Sequence, residues 1–219
     1  MWGLDASNLE AAVGARIPVR FNTDDRYFTD SFQALPSDGY TKLFENILDH
    51  PKIQVSLGIP YNIDKTNSYS HQFLSISIDQ FFKFCHGELP YRSINFHNFK
   101  EASAPQQVAT INFTDTFKYT RKTEWDLIPN SPNHLDRTML ATRTITYEEP
   151  CDPSSNNGEK YYPVRNSETL KIYEKYCKLA ARDNNVTFIG RTGLFKYLDM
   201  VPAISTHLKI ARDYISTYL

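Results

Sequence analysis

Apolar positions along the chain change their spacing from one stretch to the next. After the turn signal Pro36-Ser-Asp-Gly39, residues Tyr40, Leu43, Phe44, Ile47 and Leu48 recur at i, i+3, i+4, i+7 and i+8. That spacing gathers side chains on one helical face and predicts an amphipathic helix over 40–49. Lys52 to Leu57 and Phe73 to Ile78 are short apolar or β-branched runs bounded by proline, glycine or polar clusters, and read as buried strands. Tyr91 to Phe99, Gln107 to Phe113, Phe117 to Trp125 and Arg137 to Tyr147 alternate aromatic and β-branched residues with polar ones, the pattern of an antiparallel sheet. In the last run Met139, Ala141, Ile145 and Tyr147 take one face, and Thr138, Thr142, Thr144 and Thr146 take the other. This is the signature of a half-exposed strand.

Beyond the loop Cys151 to Lys160, helical spacing returns over Ser167 to Arg182 through Leu170, Tyr173, Cys177 and Ala180, and Asn184-Asn185 stops it. A short strand, Val186 to Ile189, follows. Pro202 then stands near the start of a closing helix whose stripe is Ile204, Leu208, Ala211 and Ile215. The order predicts an α+β chain whose two ends pack together around an inserted antiparallel sheet.

Composition adds limits rather than a function. With 219 residues, 41% hydrophobic and 22% charged, the chain can bury a core, and no apolar run approaches the roughly 20 residues of a membrane span. The first residues lack a basic segment followed by a continuous apolar one, so they do not read as a signal peptide, and a cytoplasmic location is expected. A formal charge of −1 argues against nucleic acid as a partner and points to a small ligand met by local arginines.

The three cysteines are widely spaced and read as free thiols; the six histidines show no metal-ligand spacing, so no metal is expected. Neither GxSxG, a P-loop nor GxGxxG occurs. Arginines beside aromatic residues do recur: Arg26 before Tyr27, Arg92 after Tyr91, Arg121 after Tyr119-Thr120, and Arg191 between Gly190 and Thr192-Gly193. A guanidinium fork matches phosphate oxygens, and aromatic rings cover a sugar or base. Any one such arginine reads as ordinary surface packing; only the set points to a ligand.

Five blocks, in order, carry a resemblance: ARIPVRFNTDDRYFTDSFQALPSDGYTKLFENIL, GELPYRSINF, FKYTRKTEW, EKYYPVRN and GRTGLFKYLDM. They resemble the successive motifs of prokaryotic UDP-galactopyranose mutases, in their C-terminal half. The resemblance implies an isomerase that interconverts UDP-galactopyranose and UDP-galactofuranose with reduced FAD, whose N5 serves as nucleophile, with no net oxidation. It implies that Arg16 and Arg121 clamp the diphosphate, and that Trp2, Tyr27, Arg92, Tyr162 and Tyr197 line or cover the sugar site. Arg191, Asp199 and Met200 would touch the flavin.

By the same resemblance, residues 1–20 would end a mobile helical segment, 21–83 and 151–219 would belong to the FAD-binding domain, and 84–150 would be the inserted substrate sheet. The family's GxGxxG unit has no counterpart in this sequence, so the expected partners are the UDP-sugars and a separate N-terminal FAD-binding half, with a homodimer left open. The apolar faces around Phe44, Ile47 and the last helix would then lack their usual cover. Phe195 and Leu198 stand where tyrosines are common in the family. Competing readings are a non-catalytic UDP-sugar-binding remnant without flavin chemistry and a fragment of a flavin amine oxidase or desaturase.

Overall fold

The structure, a computed structural model, describes residues 7, 14, 20–23, 28–62, 69–102, 106–129 and 142–218. In chain order its elements are α1 (Gly39–Leu48), β1 (Gln72–Leu74), α2 (Ile78–Phe81), β2 (Tyr91–Glu101), β3 (Thr110–Asn112), β4 (Arg121–Glu124), β5 (Arg143–Cys151), β6 (Tyr162–Pro163), α3 (Ser167–Ala180), β7 (Val186–Phe188), α4 (Gly190–Gly193) and α5 (Met200–Tyr218). Single 3-10 turns follow β4 at Trp125–Leu127 and β5 at Pro153–Ser155. This is the α+β mixture that the spacing predicts. The chain divides into two compact units: Met1–Ile17, Asn62–Ile94 and Pro150–Leu219 form the first, and Pro18–Tyr61 and Asn95–Glu149 the second.

The first unit is built on a two-stranded parallel sheet of β1 and β7, in the register Gln72↔Val186, Phe73↔Thr187, Leu74↔Phe188. Its core gathers Leu74, Ile78, Phe81, Leu89, Tyr91, Tyr176, Val186, Phe188 and Phe195. Helix α3 opens on a capping box in which the Asn166 side chain accepts from Thr169 N–H while Thr169 returns a bond to the Asn166 backbone. It buries Thr169 and Tyr176, and of the predicted stripe Leu170, Tyr173, Cys177 and Ala180 it packs Tyr173 and Ala180 against the core, so the inner face is the predicted one turned toward Tyr176. The reason is Tyr176, whose hydroxyl donates to Gly87 O at 2.7 Å and accepts from His86 N–H at 2.9 Å. A buried phenol with both roles satisfied outweighs a thiol as an anchor.

The larger sheet has five strands in the order β3-β4-β5-β2-β6, and the second unit contains β3, β4 and most of β5 and β2. Antiparallel registers are Asn112↔Arg121 between β3 and β4, and Arg121↔Glu148 and Thr123↔Thr146 between β4 and β5. A buried ion pair, Arg143 Nη1 to Glu124 Oε1 at 3.1 Å, lies within this sheet. Thr146 is buried, against the half-exposed pattern, because its hydroxyl donates to Asn98 Oδ1 at 2.6 Å and accepts from Trp125 Nε1–H at 2.7 Å.

Other expectations are corrected by the structure. Lys52 to Leu57 forms no strand: Ile53, Val55 and Leu57 alternate as a strand face should, yet they are exposed and no ladder partner appears among the described residues. Extended backbone counts as a strand only when a neighbour takes up its N–H and C=O groups. The Phe73 to Ile78 run pairs only through Leu74, and Ile78 opens helix α2, with Asp79 in its first turn. The last predicted strand runs later than expected, to Cys151, and its first residues, 137–141, lie outside the described ones. Helix α1 is as predicted in extent, but it buries none of its residues: Phe44 is 57% and Ile47 59% exposed. The closing helix α5 likewise buries none.

Candidate functional site

The site of the first unit starts at a tight connection. β7 ends at Phe188, and Gly190, with φ +74°, turns the chain into α4 through a conformation that other residues adopt only at a cost. Arg191 follows at once. Its Nε donates to the Leu198 carbonyl at 2.7 Å, and its Cζ lies 4.5 Å from the Tyr197 ring centroid and 5.8 Å from that of Tyr162. The two tyrosine rings are nearly parallel, 9° apart in plane with centroids at 5.7 Å. The Tyr197 hydroxyl donates to Asp199 Oδ1 at 2.7 Å, and Asp199 immediately precedes Met200, the first residue of α5.

Arg92 enters the same group from β2, directly opposite Tyr162 of β6, where paired residues project from one face of a sheet. Asp152 is near enough to feel the Arg92 charge. The Ser154 hydroxyl, then the Ser154 N–H and then Arg92 hold its carboxyl below the usual carboxylate range. The structure thus brings Arg92, Tyr162, Tyr197, Arg191, Asp199 and Met200 into one unit.

Arg121 belongs to the second unit, on β4. Its Nε donates to Asn112 Oδ1 at 3.0 Å and its Nη1 to Glu148 Oε1 at 3.4 Å. These cross-strand neighbours fix the plane of a guanidinium that stays 38% exposed, so it has little rotamer entropy left to lose on contact with a ligand. Trp2, Arg16 and Tyr27 lie outside the described residues. Fixed cations beside aromatic faces and tyrosine hydroxyls suit a ligand that is anionic at one end and carries rings or hydroxyls at the other. Among the described residues no group of three or more His, Cys, Asp or Glu is placed to hold a metal ion, and no helix is long and apolar enough to cross a membrane.

The model of one protein family, described as UDP-galactopyranose mutase, matches residues 1–197. The chain belongs to the UDP-galactopyranose mutase family. It is 35% identical over 217 residues to a probable UDP-galactopyranose mutase of Klebsiella pneumoniae, across 99% of this chain and 55% of that protein. It is equally 35% identical over 222 residues to a dTDP-fucopyranose mutase of Escherichia coli, across 98% of this chain and 57% of that protein. A UDP-galactopyranose mutase of Mycoplasma pneumoniae is 29% identical over 226 residues, across 97% and 56%. The chain spans about half the length of the curated relatives it matches.

Two residues of this mutase-family chain support the site although the sequence reading passed them over. Arg165 Nη1 donates to the Phe195 carbonyl at 2.7 Å, steadying the segment that leads to Tyr197. Phe195 is fully buried at φ +43° and packs edge-on against Tyr91 at 5.4 Å. Arg165 does not stand beside an aromatic residue in the sequence, because Pro163 and Val164 separate it from Tyr162. His207 is the second. It lies on α5 and accepts a hydrogen bond from Gly190 N–H at 2.8 Å, and no spacing in the sequence announces that contact.

Proposed function

We propose that this chain carries the nucleotide-sugar half of a flavin-dependent mutase that interconverts UDP-galactopyranose and UDP-galactofuranose, and that most of the FAD is held by the part of its relatives' length that this chain does not span. The observation that supports this reading best is the grouping of Arg92, Tyr162, Tyr197, Arg191 and Asp199, drawn from three separate sequence blocks, in a single unit. Under it, 84–150 form the substrate sheet, and 21–83 and 151–219 complete the FAD-binding domain into which that sheet is inserted. The reaction would run in the cytoplasm, where nucleotide sugars are soluble substrates.

The residues present suit one end of the flavin. Arg191 offers a cation fixed by Leu198 O, and in the first turn of α5 the N–H groups of Met200 and Val201 have no intrahelical acceptor, while Pro202 has no N–H at all. Reduced FAD, when bound, supplies the nucleophile for the anomeric carbon. The chain's own part is electrostatic and positional. Arg121, held by Asn112 and Glu148, and Arg16 would neutralise the diphosphate as it leaves and returns, and Tyr162 and Tyr197 would keep the sugar in place meanwhile. The exposed apolar faces of α1 and α5, and the unpaired Ile53, Val55 and Leu57, supply cover for the N-terminal half to bind.

Isothermal titration of UDP and UDP-galactose into the full chain, beside Arg16→Ala and Arg121→Ala, tests the reading, with flavin absorbance followed on the same samples. Binding lost in both variants, and mutase turnover on adding an FAD-loaded N-terminal half, would support it. Binding without turnover once that half is present would favour a non-catalytic nucleotide-sugar module. The equal identity to a dTDP-fucopyranose mutase favours a second substrate class, so dTDP-fucose belongs in the same titration; preference for it would move the assignment from galactose to a deoxy sugar. Size-exclusion chromatography tests a homodimer.

A further inference from the structure

His207 lies beyond the residues matched by the family model, on a helix that buries none of its residues. Its Nε2 nevertheless accepts the Gly190 backbone N–H at 2.8 Å. In that bond the Nε2 lone pair is the acceptor. Gly190 is the residue whose positive φ starts α4, and a Cβ there would meet Ser75 Cβ at 3.3 Å. Gly190 therefore sits against Ser75, the residue after β1, while its N–H is held by His207 of α5. The next residue is Arg191, tied by Nε to Leu198 O and stacked on Tyr197.

His207 stands seven residues, about 10 Å along the helix axis, from Met200. One side chain thus links both parts of the surface assigned above to the flavin: the Gly190-Arg191 turn and the start of α5. The rest of that helix is joined elsewhere, where Tyr214 meets His71 in a tilted arrangement at 4.5 Å and Phe73 edge-on at 5.3 Å. Those contacts hold the far end of the helix and do not touch the turn.

We propose that His207 is a positioning residue: it fixes the Gly190-Arg191 turn against the N-terminal half of α5 and so keeps the Arg191 guanidinium over Tyr197. The consequence for cofactor contact rests on the function proposed above; the positioning itself does not. The test is nuclear magnetic resonance on the nitrogen-labelled full chain. A nitrogen–nitrogen coupling across the Gly190 N–H to His207 Nε2 bond is expected in the unaltered protein, which needs no variant to fold.

His207→Phe keeps a flat ring and removes the acceptor, and should speed hydrogen exchange at Arg191 Nε–H roughly tenfold, the worth of one neutral hydrogen bond. His207→Gln, which offers an acceptor oxygen, should restore most of the protection. Absence of the coupling would overturn the proposal. So would a His207→Phe chain that melts earlier while Arg191 exchange stays unchanged, since His207 would then only dock the helix. A chain that shows the coupling and the exchange effect but binds no nucleotide sinks the functional reading and leaves this one standing.

Discussion

Gly193 closes the Gly-Arg-x-Gly turn, and replacing it with alanine sets two effects of known size against each other. Gly193 ends α4 with an ordinary backbone conformation, so alanine gains about 0.5–1 kcal/mol from the reduced freedom of the unfolded chain. Against that, a Cβ at this position would sit 2.9 Å from Leu74 O, 3.3 Å from Phe188 Cβ and 3.4 Å from Ile76 O. The Leu74 carbonyl has no room to give. It accepts Ile189 N–H at 2.9 Å, and Leu74 is paired with Phe188 in the parallel sheet.

Forcing a methyl group to within 2.9 Å of a fixed carbonyl falls in the upper part of the usual overpacking cost, about 2–3 kcal/mol, so Gly193→Ala should lose about 1–2.5 kcal/mol net, a fall of several degrees in melting temperature for a chain of this length. Urea unfolding followed by circular dichroism measures the loss, and exchange at the β1 and β7 amides locates it. A variant as stable as the parent, with β1 and β7 equally protected, would refute the claim that the second glycine is there for the close approach of α4 to β1.

Arg143→Met strands the buried Glu124 carboxylate, which also accepts Gln106 N–H at 2.8 Å; it should cost about 3–5 kcal/mol, most of it recovered when Glu124→Gln is added, and a single-variant loss below about 1 kcal/mol in urea melts contradicts this. Burial, with the Asp79 charge in support, raises the Tyr91 hydroxyl well above the ordinary value of 10.0. Stability from that group is complete below pH 10.0 and falls above it, because the unfolded chain releases a proton that the folded one keeps, at about 1.4 kcal/mol per pH unit. Tyr91→Phe should flatten that alkaline slope of the urea midpoint, and an unchanged slope counts against it. Thr146→Val leaves Asn98 Oδ1 and Trp125 Nε1–H without their shared hydroxyl; a loss of about 1–3 kcal/mol and a shift in indole emission are expected, and an unaltered spectrum speaks against the bond.

Periodicity was a good guide wherever local spacing and tertiary packing agree. Helix α1, the pairing strands β2 to β5 and helix α3 all lie close to where alternation or helical spacing puts them. It failed where a neighbour decides the outcome. Ile53, Val55 and Leu57 carry a strand pattern, but the pattern holds no information about who pairs with them. Tyr176 took the inner position of α3 through bonds to His86 and Gly87, some ninety residues away in sequence. The site shows the same division. Arg92, Tyr162, Tyr197 and Arg191 were singled out by resemblance and fall together in space, whereas Arg165 and His207 act through backbone groups, and a backbone partner leaves no trace in the identity of the residue that offers it.

The stretch after α1 that joins no ladder among the described residues is bracketed by Pro51 and Pro60. Proline has no N–H to give to a ladder, so any sheet that this segment joins can extend along residues 52–59 and no further in either direction. Lys52 adds a charge at the entry. A run of alternating isoleucine, valine and leucine in solvent is the usual seed of uncontrolled strand stacking, and flanking prolines and lysines are the usual brake. The segment, though not a strand here, therefore carries a strand pattern of defined length with a stop at each end, which limits self-association without closing it to a partner.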